Sequence, residues 1–323
     1  VWGLGLFGGG AAVARYLVEA GAEVRVIDTK SEQTLAPTLA RLEGLDLRYH
    51  LGEPHTEEDL LEAELVVKSP AIPPTAAWVA RLAEAGVPCT SEIALGLRQV
   101  GVPYAAVTGS KGKTTTASLL GAMLAAGGRR VCVAGNNERP LLEALRSGPE
   151  LLVLELSSFM ACALAEDRAR GVTFPAPAVQ VFTSLCPEHL NWHGTLEHYY
   201  GAKLSLLELG PARVVIPATS PTLEERVPSR ARSLTRVRAA EPERDEVGVR
   251  EGWACQGERR VFPLEALQLL GAHNQENALL ACAGALALGA PAADIEAGVR
   301  SFQALEHRLQ TVARRGELRF IDD

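Results

Sequence analysis

Lysine is scarce in this chain, and its placement is informative. Only Lys30, Lys68, Lys111, Lys113 and Lys203 stand among the 32 basic residues, and two of the five fall in Thr108-Gly109-Ser110-Lys111-Gly112-Lys113-Thr114-Thr115. Glycines at such a turn let backbone N–H groups approach phosphate oxygens, and a helix starting there adds partial positive charge. Lys113 would reach the outer phosphates of a nucleoside triphosphate, and the Thr114 hydroxyl would face Mg2+. Val107 stands where the general phosphate-loop pattern has its first Gly. The competing reading, a surface turn with a solvated lysine, does not explain the apolar strand before it or the helical pattern after it.

Further residues fit the same chemistry. Leu151-Leu152-Val153-Leu154-Glu155 is an apolar run ending in a carboxylate, and an acid at such a strand tip holds Mg2+ in phosphate-loop proteins. Glu188-His189 follows the strand candidate 179–183, and His193, His198 and Lys203 lie just downstream. The six cysteines are widely spaced with no C-x-x-C pair, which argues against a zinc framework or a disulfide scaffold and for reduced thiols in a cytoplasmic protein. Any metal is therefore expected to be Mg2+ shared with phosphate oxygens. Asn277 is a candidate for turning toward the nucleotide, with Asn274 either beside it or capping its helix.

A second phosphate signal opens the chain. Gly3-Leu4-Gly5-Leu6-Phe7-Gly8 fits G-x-G-x-x-G, and Asp28 ends the next strand candidate. That spacing puts glycines under a diphosphate and a carboxylate toward a ribose or base, without saying which nucleotide. Ser69-Pro70-Ala71-Ile72-Pro73-Pro74 is a rigid loop at the end of strand candidate 65–68, where open α/β sheets bind ligands.

These residues need positioning elements, and the expected fold class is α/β. A Rossmann-like domain is expected over 1–91, and a P-loop ATPase domain with a mostly parallel sheet and a small antiparallel sheet over 92–302. Residues 303–323 read as the start of a further domain. Residues 219–245, rich in Pro, Arg and Glu, read as a peripheral segment, and 246–262 as small antiparallel strands. Net charge −7 and pI 5.6 argue against a basic nucleic-acid-binding face. No apolar run reaches 18 residues, so no membrane helix is expected. The start at Val1 suggests a clipped N-terminus.

Thr108-Gly-Ser-Lys-Gly-Lys-Thr-Thr, Glu155-Leu-Ser-Ser-Phe, Glu188-His189 with Lys203, His273-Asn274-x-x-Asn277 and His307-Arg308 occur in an order that resembles the Mur ligases. These are ATP-dependent amide-forming enzymes of peptidoglycan precursor synthesis. The Glu-Leu-Ser-Ser-Phe run and the glycine-rich first domain are most similar to the members that add D-glutamate to UDP-N-acetylmuramoyl-L-alanine. The resemblance implies an acyl-phosphate mechanism, ATP and two Mg2+ sites, acting as a cytoplasmic monomer. It implies catalytic roles for Lys113, His189 and Lys203. Gly109, Ser110, Lys111, Gly112, Lys113, Thr114, Thr115, Asn274, Arg308 and Asp323 would bind ATP. Thr114 and Glu155 would hold one Mg2+, and His189 with a carbamylated Lys203 the other. Leu6, Phe7, Asp28, Thr29, Ser69, Asn136 and Ser157 would contact the UDP-linked substrate, so the first domain would bind UDP rather than a dinucleotide. Lys111, Glu138, Met160, Glu188 and Asn191 depart from the family's usual residues. The family continues past the equivalent of Asp323 into a third domain carrying the D-glutamate pocket, so these 323 residues alone are expected to bind nucleotide weakly and not to ligate. Another Mur ligase or a folylpolyglutamate synthase-like ligase is the alternative. A nicotinamide dehydrogenase leaves Gly109–Thr116 unexplained, and a non-enzymatic UDP-sugar sensor would not need Lys113, Glu155, His189 and Lys203.

Overall fold

The computed structural model describes residues 1–54, 56–136, 139–210, 213–227, 229, 231–303, 310–315 and 318–322. The first sheet is parallel throughout. Strand β1 (Val24–Asp28) pairs with β2 (Leu47–Leu51) from Val24↔Leu47 to Asp28↔Leu51. Trp2 bridges Ile27 on one side and Lys68 on the other, and β3 (Val66–Val67) pairs with β4 (Cys89–Thr90). Counting the Trp2 segment as first in sequence, the spatial order is 3-2-1-4-5, half of it wound each way from the centre. The connecting segments include helices Gly9–Glu19, Glu32–Ala40 and Ala77–Glu84. Leu4, Ala14, Val26 and Leu35 form the core on one face; Trp2, Ile27, Leu60 and Leu82 form it on the other.

Among the described residues the second sheet has nine strands: β5 (Tyr104–Thr108), β6 (Val131–Gly135), β7 (Leu151–Glu155), β8 (Val179–Phe182), β9 (Arg213–Pro217), β10 (Ser233–Val237), β11 (Val247–Arg250), β12 (Trp253–Gln256) and β13 (Arg259–Pro263). Their order is β13-β12-β11-β10-β9-β8-β5-β7-β6. From β6 to β11 neighbours run parallel, and β12 and β13 are added antiparallel at one edge. The small antiparallel strands expected over 246–262 are β11 to β13, which lie at one edge of the large sheet. Strands β5 and β7 are buried at every residue, as continuous apolar runs must be when helices cover both faces. Helices Lys113–Ala125, Ala272–Ala287 and Ala292–Ser301 pack on one face; Glu92–Leu97, Leu141–Leu145 and Ser158–Ala169 pack on the other. Fully buried Leu119, Leu120 and Met123 each contribute roughly 1.5–3 kcal/mol of apolar burial.

The peripheral reading of 219–245 needs correction. Strand β10 lies inside it and pairs with β9 along five residues, Ser233↔Arg213 to Val237↔Pro217. Its side chains are mostly half-exposed, and Arg236 is held by both carboxylate oxygens of Glu224 at 2.8–3.0 Å. An ion-paired strand carries little of the apolar alternation by which strands are recognised. Strands β14 (Gln310–Arg315) and β15 (Leu318–Asp322) form an antiparallel pair.

Candidate active site

The glycine turn leaves β5 with β7 on one side and β8 on the other, where the strand order reverses and α/β sheets bind ligands. Gly112 caps helix Lys113–Ala125 at φ 81°, a conformation that favours glycine. A Cβ there would lie 2.2 Å from Asn277 Oδ1. The turn is clamped from β8 and the loop after it. Ser110 N donates to Ser184 O at 2.8 Å, Lys111 N to Ser184 Oγ at 2.9 Å, and Ser110 Oγ to Cys186 O at 2.8 Å. The buried Tyr199 hydroxyl donates to Ser110 Oγ at 2.9 Å. Thr115 is buried at the start of the helix.

Glu155, at the tip of β7, is 1% exposed. Its Oε1 accepts from Asn136 Nδ2 at 3.1 Å, while among the described residues nothing donates to Oε2. An unpaired buried carboxylate oxygen is costly without a cation. A divalent cation shared with Thr114, next on the turn, fits this donor set of carboxylate and hydroxyl oxygens. Ser157 caps helix Ser158–Ala169, its Oγ accepting from Met160 N at 3.2 Å.

Two lysines converge on the turn. Lys113 Nζ donates to Ser110 O and Lys203 Nζ to Gly109 O, both at 2.7 Å. Lys203 is 1% exposed. Burial first, and the Lys113 cation second, push it down to about 7. Burial thus favours the neutral amine, which is the form that can add CO2. His189 sits in the left-handed region at φ 52°, its ring 4.9 Å from that of Phe159 and its Nε2 3.7 Å from Glu188 Oε2. Glu188 also pairs with Lys111. Partial burial pushes this carboxyl up, but the Lys111 hydrogen bond and the charges of Lys111, His189 and Lys113 hold it below the usual range.

Across the seam between the sheets, the first glycine turn ends at Gly8, the cap of helix Gly9–Glu19 at φ 86°. A Cβ on Gly10 would lie 2.3 Å from Leu4 O, so the helix approaches the strand this closely only through a glycine. Asp28 is tied to this turn: Oδ2 accepts from Gly5 N at 3.0 Å and Oδ1 from Lys30 N at 2.9 Å. A cavity of about 410 Å3 joins the turn to the second sheet, with Gly5, Phe7, Ser69, Asn136, Ser157 and Phe159 in its wall. Phe7 is 81% exposed and Leu6 also projects outward. Leu6, Asp28 and Thr29 are not among this cavity's lining residues.

Asn274 does not cap its helix. Its Nδ2 donates to Leu270 O at 2.8 Å and its Oδ1 accepts from Asn277 at 3.2 Å. Asn277 Oδ1 lies 3.3 Å from Thr116 Oγ1, so this pair braces the phosphate turn from behind. Arg308 and Asp323 lie outside the described residues. Sequence patterning does not reveal Thr183, Ser184 and Tyr199, which hold the turn, or Glu92, which lines the cavity. Glu92 Oε1 accepts from Leu142 N at 2.8 Å, and burial pushes its carboxyl up to about 7. All four act across the fold; a buried acid opening helix 92–97 was the one local signal.

Residues 1–91 match the MurD-like N-terminal domain of Mur ligases, and residues 107–285 match the Mur ligase middle domain. The UDP-N-acetylmuramoylalanine–D-glutamate ligase of Roseiflexus sp. (strain RS-1) is 35% identical over 348 residues, covering 100% of this chain and 71% of that protein. The UDP-N-acetylmuramoyl-L-alanine–L-glutamate ligase of a Micromonospora strain is 37% identical over 271 residues, 82% of this chain and 57% of that protein. The fold is shared with the UDP-N-acetylmuramate:L-alanyl-gamma-D-glutamyl-meso-diaminopimelate ligase of Neisseria, at TM-score 0.65 and 19% identity over 94% of this chain and 97% of that one. On the middle-domain match over more than half its length, and on relatives a third identical across all of it, the chain belongs to the Mur ligase family.

Proposed function

We propose that this Mur ligase joins D-glutamate to UDP-N-acetylmuramoyl-L-alanine with hydrolysis of ATP to ADP and phosphate. The observation that carries this reading is the buried Glu155 carboxylate, half unpaired, at the strand tip beside the Gly109–Thr114 turn. Residues 1–91 would hold the UDP end, with the N–H groups at the start of helix Gly9–Glu19 facing the diphosphate. The cavity walled by Ser69, Asn136 and Ser157 would take the muramoyl-alanine toward the second sheet, residues 92–302.

The substrate carboxylate is a poor electrophile. Its oxygen attacks the γ-phosphorus of ATP, the bond to ADP breaks, and an acyl phosphate forms. The glutamate amine then attacks the acyl carbon, loses a proton, and phosphate leaves. Lys113 would leave Ser110 O to neutralise the transferring oxygens, and the N–H groups of the turn would hold the phosphates in line. Thr114 and Glu155 would hold one Mg2+; His189 and Lys203 would hold a second if the lysine is carbamylated. Such a cation draws charge from the phosphate oxygens. Carbamylation would turn Lys203 from a buried amine into an anion, the sign a metal site needs. The chain is read as a cytoplasmic monomer without nucleic-acid partners, in keeping with its acidic charge and lone thiols. Among the described residues no helix is long and apolar enough to cross a membrane.

The Micromonospora relative favours L-glutamate as a second reading. The test incubates the complete gene product with ATP, Mg2+, UDP-N-acetylmuramoyl-L-alanine and either glutamate enantiomer, following ADP release and the mass of the amide. D-glutamate-dependent ADP and amide are expected. Turnover with L-glutamate alone selects the second reading, and no ADP with either enantiomer overturns both.

A further inference from the structure

Cys162 lies one helical turn past Ser158, and His193 and His198 lie five residues apart on a different stretch of chain. The structure brings them together: one donor atom from each falls within 4.8 Å of the others. Cys162 and His193 are buried, and His198 is exposed, which gives an ion a way in. His193 Nε2 is 2.9 Å from Ser158 Oγ, the kind of partner that fixes the tautomer of a ligating imidazole, and this leaves Nδ1. That nitrogen faces His198 Nδ1 at 3.3 Å. For metal–nitrogen bonds of about 2.0–2.1 Å, two ligands of a tetrahedral ion stand about 3.3 Å apart.

We infer that Cys162, His193 and His198 form a binding site for a borderline-soft divalent cation of the zinc class, separate from the phosphate turn. Two imidazoles and a thiolate suit Zn2+ or Co2+ and discriminate against Mg2+, which takes oxygen donors. His198 Nδ1 is 3.0 Å from His193 O, to which it donates. Binding moves that proton to the other ring nitrogen and releases the Cys162 thiol proton to solvent; no electron changes hands. The fourth position is left for water. Cysteine spacing alone points away from zinc because the thiol and the imidazoles come from different elements.

The test is titration of the complete gene product with Co2+, then Zn2+, in excess Mg2+. One Co2+ per chain with a thiolate-to-metal charge-transfer band is expected, and Zn2+ abolishes the band. Cys162→Ser removes the band, Cys186→Ser keeps it, and His198→Asn, on the surface, weakens binding about tenfold or more. Absence of the band, or a band that survives Cys162→Ser or vanishes with Cys186→Ser, overturns the inference. Should Cys162→Ser fail to fold, an unaltered Co2+ affinity in His198→Asn overturns it alone.

Discussion

Replacing Glu155 by glutamine removes the negative charge at the tip of β7 while keeping its shape. In the free protein Oε1 has Asn136 and Oε2 has no described partner. Leaving a buried polar atom unpaired costs about 1–3 kcal/mol, and an ionised one costs more. The amide nitrogen of glutamine inherits the unpaired position but not the charge, so the variant is expected to gain about 1 kcal/mol in the absence of ligands. In a domain of 150–250 residues that is roughly 2–4 °C in Tm. Ligand reverses the order. At a hundred times its Kd, Mg2+ with a non-hydrolysable ATP analogue adds about 2.7 kcal/mol to the wild type and little to the variant. Thermal melts of both proteins, with and without Mg2+ and the analogue, read this crossing directly. A variant less stable than wild type without ligand, yet gaining the full increment with it, would refute the reasoning and make Glu155 a structural acid.

Gly112→Ala sets a Cβ 2.2 Å from Asn277 Oδ1 in a left-handed turn; strain of about 1–2 kcal/mol should weaken binding of an ATP analogue about tenfold by calorimetry, and unchanged affinity would mean the turn yields freely. Lys203 gives a rising stability profile in CO2-free buffer. The unfolded side chain keeps its proton to 10.5 and the folded one to about 7, so the unfolded chain binds more protons across that window and stability climbs with pH. Lys203→Met should flatten the climb in urea midpoints. Glu92 has the opposite slope: its carboxyl is raised from 4.5 to about 7, the folded state holds more protons between those values, and stability falls by about 3 kcal/mol as pH rises through them. Glu92→Gln should remove that fall, and a fall that persists assigns it to other groups.

The phosphate turn, the Glu155 strand and the first glycine turn were legible because each is local: a glycine pattern, an apolar run and a terminal acid lie within a few residues. Strand β10 was not, because Arg236 gains its place through Glu224 rather than through apolar alternation. What braces the turn was equally hidden. Thr183, Tyr199 and Asn277 reach Gly109–Gly112 from strands and helices more than 70 residues away. Asp28 is legible by type and position, and the fold adds what the sequence could not, that each of its oxygens accepts from a backbone N–H, of Gly5 and of Lys30.

The seam between the two sheets is held by a small apolar cluster of Val13, Val67, Leu95 and Leu142, by the Lys68–Glu166 pair and the Thr90–Asp167 hydrogen bond, and by exposed ion pairs such as Arg41–Glu143 and Arg146–Glu19. Pairs of that kind hold by about 0–1 kcal/mol each and weaken with salt. The two halves therefore meet like the covers of a book stitched along one edge: Thr90 and Lys68 are tied to Asp167 and Glu166 where the chain crosses over, while the Arg41–Glu143 and Arg146–Glu19 edge rests on exposed pairs alone. Any widening of the gutter to take a long, branched molecule is expected along that exposed edge.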